Sequence, residues 1–544
     1  MLGLLLVAMI ISGSGLFIRL YAGLTKPVPG IGGSYTEGFT KEPRTINPIY
    51  SSQDTDRDIS RLVFSRLFYY DHTGELKPDL AEKYEMSKDG KNYKVILRSG
   101  VKWHDGKPLT AGDIVFTIQT IQNPQYKSVL RANWLGVQVE KIDDKTVNFS
   151  LRVPYTHFAE NLTLGIIPKH LWEKIPPEQA LLHELNLKPV GSGPYRFNKL
   201  KQDKNGSVLS YKLSRNSRYY RNGPYLGEIN FIFFKSEEEI IAALHKNLID
   251  GFGPLSKKYL ENFDQQKVSV FSLGMPRIFG LFFNQKENEI LKEKAVREAI
   301  AYAINKKDLA DKATSGGAVV ADSPLPFGSK SSAQNLYSYN PETAKQILEK
   351  AQWLAPDSGG TRVKKPKGKK ELQQLKFKLV TSDWPDLIRT AEIIQKNLKD
   401  VGIEITIESR PLSELEQLVI KPREFEILLF GQVYGFEADP FSFWHSSQIK
   451  DPGLNVSLYS NKKADKIMED LRKLNDPAVR NKKYEDLASI LKGDLPAVFL
   501  YNQLYIYLLP ANLRGVDLGR ISLPSDRFNE ISKWYVDTER VWSW

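Results

Sequence analysis

At 544 residues the chain is too long for a single hydrophobic core, which stops growing at about 250 to 300 residues, so more than one lobe is expected. A hydrophobic fraction of 41%, a charged fraction of 26% and a complement of 9 Trp, 25 Tyr and 26 Phe exclude a disordered chain and suit a ligand cleft. Cysteine is absent, which excludes disulfides, thiolate metal sites, cysteine nucleophiles and a lipid-modified N-terminal cysteine together, while the net charge of +12 raises the question of nucleic acid.

Leu2 to Ile18 carries no charged residue, and Leu20 to Leu24 extends the apolar run with Arg19 as its one interruption. About 20 such residues span a bilayer core of roughly 30 Å, so residues 1–24 read as an uncleaved signal anchor, a transmembrane helix. A cleaved signal peptide is the alternative, although no small-residue cleavage site follows. Arg19 and Lys26 follow the run and no Lys or Arg precedes it, against the positive-inside tendency. Residues 25–34, TKPVPGIGGS, then read as a Pro/Gly tether.

Past residue 35 strand and helix signals alternate. Tyr84 to Met86 and Tyr93 to Leu97 flank Asp89-Gly90, and Val137 to Ile142 and Thr146 to Leu151 flank residues 143–145, which predicts two hairpins. Thr110 with Asp113 caps an apolar run from Ile114 to Ile121, and Ser236 with Glu239 caps Ile240 to Leu248. Asn340-Pro341 opens a helix whose Ala344, Ile347, Leu348 and Ala351 share one face. Seven basic residues between Arg362 and Lys376 face one acid, Glu371, so this segment carries half of the net charge. It lacks an apolar period and contains Gly359, Gly360, Pro366 and Gly368 close by, so it reads as a solvated surface loop, 357–376, and nucleic acid is not indicated. Contact of this loop with anionic lipid or cell-wall polymer is the other reading. Pro385 to Val401 predicts a further helix, closed by Gly402 and followed by Ile403, Ile405 and Ile407 as a strand. The recurrence of helix and strand argues α/β lobes.

Three stretches identify a family. Leu76 to Thr117, with Pro78, Leu80, Ala81, the Asp89-Gly90-Lys91 turn, Trp103, His104, Asp105, Gly106, Thr110, Asp113 and Phe116, closely resembles the signature of bacterial extracellular solute-binding proteins, family 5, the oligopeptide and dipeptide receptor group. Pro189 to Phe197, PVGSGPYRF, with Asn216 and Tyr219, looks like that family's return strand, and Gly280 to Asp308 resembles its entry into a third lobe. The resemblance covers nearly everything from 35 to 515. It implies an α/β periplasmic-binding-protein-like type II clamp, three-lobed, of the cluster C architecture. Lobe I would comprise 35–55, 186–280 and 496–544, lobe II 56–185 and lobe III 281–495, with crossings near Leu281 to Asn284 and Leu495 to Asn502.

The resemblance further implies a monomeric receptor on the outer face of the cell membrane, periplasmic or at the cell surface. Such a receptor would capture a peptide by lobe closure and deliver it to an ABC permease and its ATPase subunits, with no cofactor and no enzymatic activity. An oligosaccharide or other small-solute receptor, a secreted hydrolase and a chaperone-like anchored protein are the alternatives.

The family's ligand segment resembles Ile427 to Gln448. Gly431 and Gly435 suit a strand end where backbone approaches ligand. Dipeptide and oligopeptide receptors hold the ligand's amino group with an Asp a few positions before an acidic-Pro pair. Here Phe436 stands at the matching position, Glu437 follows and Asp439 precedes Pro440. Glu437 is therefore the expected cation anchor, because a buried ammonium needs a carboxylate. Tyr434, Phe436 and Trp444 would line side-chain pockets or stack on sugar rings. Packing within lobe III is the competing reading for Phe441, Phe443 and Trp444. Phe430, Phe279, Tyr501 and Arg44 complete the candidate ligand-binding set.

No G-x-S-x-G, H-E-x-x-H or G-x-G-x-x-G occurs, and Gly100 to Pro108 misses the phosphate-loop spacing, so no catalytic residue is assigned. The seven histidines (His72, His104, His157, His170, His183, His245 and His445) are scattered without ligand spacing, so no metal site is assigned; His104 and His445 read as structural or cleft-lining.

Overall fold

The computed structural model describes residues 24–542 apart from 156, 315, 326–336, 367, 369–370, 437–438 and 475. The expected anchor, save Leu24, lies outside the described residues. Among the described residues no helix is long and apolar enough to cross a membrane.

Both predicted hairpins form. Ala81–Met86 pairs antiparallel with Asn92–Leu97 across a turn in which Gly90 takes φ +67°, and Val137–Lys141 pairs with Thr146–Leu151. The hairpins join through the inner pair into a four-stranded sheet whose alternate residues Tyr93, Val95, Val147 and Phe149 are buried. Helix Ala111–Gln122 lies against it. Its N-terminus is held by Asp113, whose carboxylate accepts from Thr110 N at 2.8 Å and from Lys169 N at 2.9 Å.

The rest of the chain hangs on one eleven-stranded sheet. From one edge to the other it runs Glu404–Arg410, Lys376–Ser382, Ile427–Val433, Val268–Phe283, Ala497–Pro510, Gly251–Phe252, Gly32–Phe39, Leu226–Phe233, Val208–Arg215 and Tyr195–Gln202, with Ala318–Val320 added on Ala497–Pro510. Val268–Phe283 and Ala497–Pro510 are its long members and pair antiparallel from Val268 opposite Pro510 to Phe282 opposite Ala497. Their register shifts between Gly274 and Ile278, a bulge of the kind that bends a strand.

The packing partners change at that bulge. Leu273, Met275, Tyr505 and Tyr507 belong to one large core, which also holds the four-stranded sheet; Ile278, Phe279, Leu281, Phe499 and Tyr501 belong to two cores built around helices Lys294–Ala303, Pro385–Lys399 and Pro477–Asp494. The chain thus passes between the two halves at residues 275–278 and 501–505. The first crossing falls earlier than the expected Leu281 to Asn284, because apolar strand residues look alike in sequence whichever core receives them.

Two local expectations are corrected. The segment expected as a tether is structured: Thr25–Pro29 pairs antiparallel with Thr538–Trp542, and Gly32–Phe39 is an inner strand running parallel to Leu226–Phe233. Proline is tolerated in a two-stranded edge, and a partner over 500 residues away leaves no local signal. The basic segment is not wholly solvated. Val363–Lys364 pairs with Gln373–Gln374, and Arg362 is buried, donating to Val401 O at 3.0 Å, Trp353 O at 2.9 Å and Glu349 Oε1 at 3.1 Å.

Arg527 closes the first half. Its fully buried guanidinium donates to Glu37 Oε1 at 2.6 Å and Asp58 Oδ2 at 2.7 Å, and lies 5.1 Å from the Tyr507 ring centre. Glu37 Oε2 also accepts from the Tyr35 and Tyr507 hydroxyls at 3.1 and 2.8 Å. One cation thereby ties strand Gly32–Phe39, helix Asp54–Val63, strand Ala497–Pro510 and the C-terminal turn Pro524–Phe528. With two carboxylates sharing one guanidinium out of water, burial outweighs attraction and pushes the Asp58 carboxyl up to about 7, and its Oδ1 is buried with no hydrogen-bond partner.

Arg527→Met strands both carboxylates and is expected to cost about 3 to 5 kcal/mol, read as a lower denaturant midpoint. The raised Asp58 carboxyl makes the folded state hold a proton that the unfolded chain has released above its ordinary value of 3.8, so its contribution to stability is lost as pH rises from about 4 through about 7. Asp58→Asn is expected to flatten stability over that range relative to the parent chain, and an unchanged slope in parallel denaturation series would contradict this.

Candidate ligand-binding cleft

A cleft of about 960 Å³ opens between the two halves. One wall is formed by helix Asp54–Val63 and by residues around 130–137 and 151–165. The other is formed by Val433, Tyr434, Gly435, Asp439, Ser442 and Phe443, at and after the end of strand Ile427–Val433, with Leu454 and Arg472. Ser522, Leu523 and Ser525 of the C-terminal segment complete it. Arg57, Ser60 and Arg61 stand three and four residues apart on the helix, which puts them on one face.

Among the described residues five arginines line the cleft (Arg57, Arg61, Arg66, Arg152 and Arg472), against two carboxylates, Glu160 and Asp439. Both carboxylates are already engaged. Asp439 Oδ2 accepts from Arg472 Nε and Nη2 at 2.9 Å each, and its Oδ1 accepts from Phe441 N at 3.0 Å. Glu160 Oε1 accepts from Phe436 N at 2.9 Å. Arg57, Arg61 and Arg66 have carboxylate neighbours in Asp54, Asp526 and Asp79, whereas Arg152 is exposed and makes no ion pair among the described residues.

The halves touch along the rim. The Arg472 guanidinium lies 4.9 Å from the Tyr155 ring centre, and Arg480 Nη2 is 2.5 Å from His157 Nε2. The Phe436 ring stacks on Tyr70 at 4.0 Å, and its carbonyl accepts from Arg520 Nη2 at 2.9 Å. Gly435 brings the loop against the opposite half, where the Glu160 carboxylate occupies the space of a Cβ, 2.1 Å from Oε1. These contacts describe a closed clamp.

The candidate residues divide accordingly. Tyr434, Gly435 and Asp439 line the cleft. The Tyr434 hydroxyl is buried, which pushes its pKa up and keeps it protonated; it donates to Pro324 O at 3.0 Å and accepts from Trp444 Nε1 at 3.1 Å. Phe436 lies at the contact between halves and is buried there. Gly431, Phe279 and Tyr501 gather away from the cleft. The Phe279 ring occupies the space of a Gly431 Cβ and stacks on Tyr501 at 5.1 Å, and the Tyr501 hydroxyl is 3.1 Å from Thr390 Oγ1. Trp444 is fully buried in the core behind Tyr434, with Phe430, Phe441 and Phe443 packed on that core. Arg44 is exposed, and its backbone N–H donates to Asp56 Oδ1 at 2.7 Å. Glu437 lies outside the described residues.

His104 is structural. Its Nδ1 accepts from Gly191 N at 3.2 Å and its Nε2 lies 3.1 Å from Gly193 O, so the ring is neutral and stitches two motif segments together; burial pushes its pKa down to about 4. The arginines and Tyr155 were missed by sequence reasoning. The i, i+4 spacing of Arg57 and Arg61 was an available signal, but Arg152, Tyr155 and Arg472 come from unrelated elements and had none.

Residues 75–452 match the family described as bacterial extracellular solute-binding proteins, family 5 Middle. The chain is 31% identical over 519 residues to the oligopeptide-binding protein AppA of Bacillus subtilis, covering 93% of this chain and 92% of that protein, and 27% identical over 491 residues to the dipeptide-binding protein of Escherichia coli, covering 84% and 87%. The solved structure of Bacillus subtilis AppA in complex with a nonapeptide superposes with a TM-score of 0.73 at 29% identity, covering 94% of this chain and 100% of that one. The ABC transporter substrate binding protein CtaP of Listeria monocytogenes superposes with a TM-score of 0.77 at 25% identity, covering 93% and 100%. With this coverage and an α/β clamp of the same fold, the chain belongs to the bacterial extracellular solute-binding proteins, family 5, and is a binding protein, not an enzyme.

Proposed function

We propose that the chain captures peptides in the cleft between its halves and presents them to an ABC permease and its ATPase subunits on the outer face of the cell membrane, held there by residues 1–24. The observation that carries this reading is a cleft of about 960 Å³ walled by both halves, roomy enough for several residues of extended chain. Support comes from relatives named for oligopeptide and dipeptide binding. The uncharged run from Leu2 to Ile18 supports the anchor.

Capture follows from closure. A ligand that touches both walls stabilises the closed arrangement by its differential affinity for it. The rim contacts at Phe436, Tyr155 and His157 then seal the cleft. Its arginine excess favours a ligand with an anionic end, the α-carboxylate or an acidic side chain of the peptide. Arg152, without an ion pair among the described residues, is free to meet that charge at little cost. Glu437 remains our candidate for the α-amino group.

Calorimetry with peptides of three to nine residues, free or blocked at either end, tests both assignments. Arg152→Gln is expected to weaken peptides with a free carboxylate about fivefold and leave amidated neutral peptides unchanged. Glu437→Gln is expected to weaken peptides with a free amine about tenfold and leave acetylated peptides unchanged. A full chain that binds oligosaccharides but no peptide, in calorimetry and in native mass spectrometry of co-purified ligand, would overturn the peptide reading.

A further inference from the structure

Outside the cleft, tertiary folding brings His72 against Asp517 and Glu530, over 400 residues further along the chain. His72 sits in the turn between strands Phe68–Tyr70 and Leu76–Pro78, and the two carboxylates come from the C-terminal segment. The turn is pressed onto that segment by backbone: Arg520 N donates to His72 O at 3.2 Å, and Gly519 is required, because a Cβ there would fall 1.8 Å from the same oxygen.

The polar atoms converge within ion-pair reach but without a hydrogen bond between them. His72 Nδ1 is 3.2 Å from Asp517 Oδ2 and 3.3 Å from Glu530 Oε2. Neither Nδ1 nor Glu530 Oε2 has a hydrogen-bond partner, and both atoms are shielded from solvent. Glu530 is only 6% exposed; Lys533 Nζ meets its other oxygen, Oε1, at 2.5 Å, which leaves Oε2 aimed at His72. An unmet carboxylate oxygen in a buried residue is costly, and a second carboxylate nearby adds repulsion.

A divalent cation removes both penalties. Around a tetrahedral ion with bonds of about 2.0 to 2.1 Å, neighbouring ligand atoms stand about 3.3 Å apart, the separations seen at His72 Nδ1. One imidazole nitrogen and two carboxylate oxygens form a donor set for zinc or a similar borderline ion, with a fourth position open to water. We propose that His72, Asp517 and Glu530 form a structural divalent-cation site. Its place in the fold gives it a consequence. Tyr70, two residues before His72, carries the stacked Phe436 ring, and Arg520, three after Asp517, holds the Phe436 carbonyl. The ion would clamp together the two pieces of the platform on which the closing loop docks.

The test uses the full chain, stripped with chelator and titrated with ZnCl₂ by calorimetry, with Co²⁺ absorption as a report on coordination. One equivalent is expected to bind, with the thermal midpoint raised by about 2 °C or more at saturating metal. His72→Ala and Asp517→Asn, whose side chains are 38% and 55% exposed and so leave the fold intact, are each expected to weaken binding tenfold or more and to abolish the cobalt spectrum. No saturable binding to the parent chain, or equal binding and an identical cobalt spectrum in both variants, would overturn the site.

Discussion

Two strands carry the whole arrangement. Val268–Phe283 and Ala497–Pro510 run side by side through both halves, so the two covalent connections across the molecule's waist are also bonded to each other along their length. Breaking the pair in the middle would leave buried backbone groups unmatched in two cores at once. The halves can therefore move by bending the ribbon, and the register shifts between Gly274 and Ile278 and between Phe279 and Gly280 are where the ladder already yields. A ligand clamp needs this combination: connections that cannot part, and a short stretch over which they can flex.

On each side of the waist the structure is locked differently. The first half closes around a buried cation, Arg527, which gathers a strand and a helix from the start of the described chain and a turn near its end. Loss of the cation from such a cluster strands both carboxylates, because the guanidinium is their shared partner out of water. The second half closes mainly by apolar packing of helices such as Pro385–Lys399 against the strands, with buried Arg362 bonded chiefly to carbonyls. The rigidity of both bodies is what converts a small bend at the ribbon into a large change at the rim.

The contacts of the rim are of kinds that can be made and broken: a stacked ring, guanidinium groups over or beside aromatic and imidazole rings, and one backbone N–H on a carboxylate. Gly435 sits at this approach in a way its position in the sequence did not suggest. A glycine in an aromatic strand end reads as room for a ligand, but here the space is taken by Glu160 of the opposite half. Gly431 likewise makes room for the Phe279 ring. Both glycines were conspicuous in the sequence, and both serve the protein's contacts with itself.

The sequence by itself determined the class, the family, the hairpin around Asp89-Gly90, the Thr110 cap and the segment that supplies Tyr434 and Asp439 to the cleft. All of these are written in neighbouring residues, where turn chemistry, capping and periodicity act over a few positions. Only the tertiary structure decided that Thr25–Pro29 is a strand, that Arg362 is buried, that Trp444 and Tyr501 turn into cores, that the cleft is rich in arginine and that His72 meets two carboxylates. Each of those outcomes depends on a partner hundreds of residues away or on which face of an element meets which core. An apolar or charged side chain looks the same in sequence whichever neighbour folding brings to it.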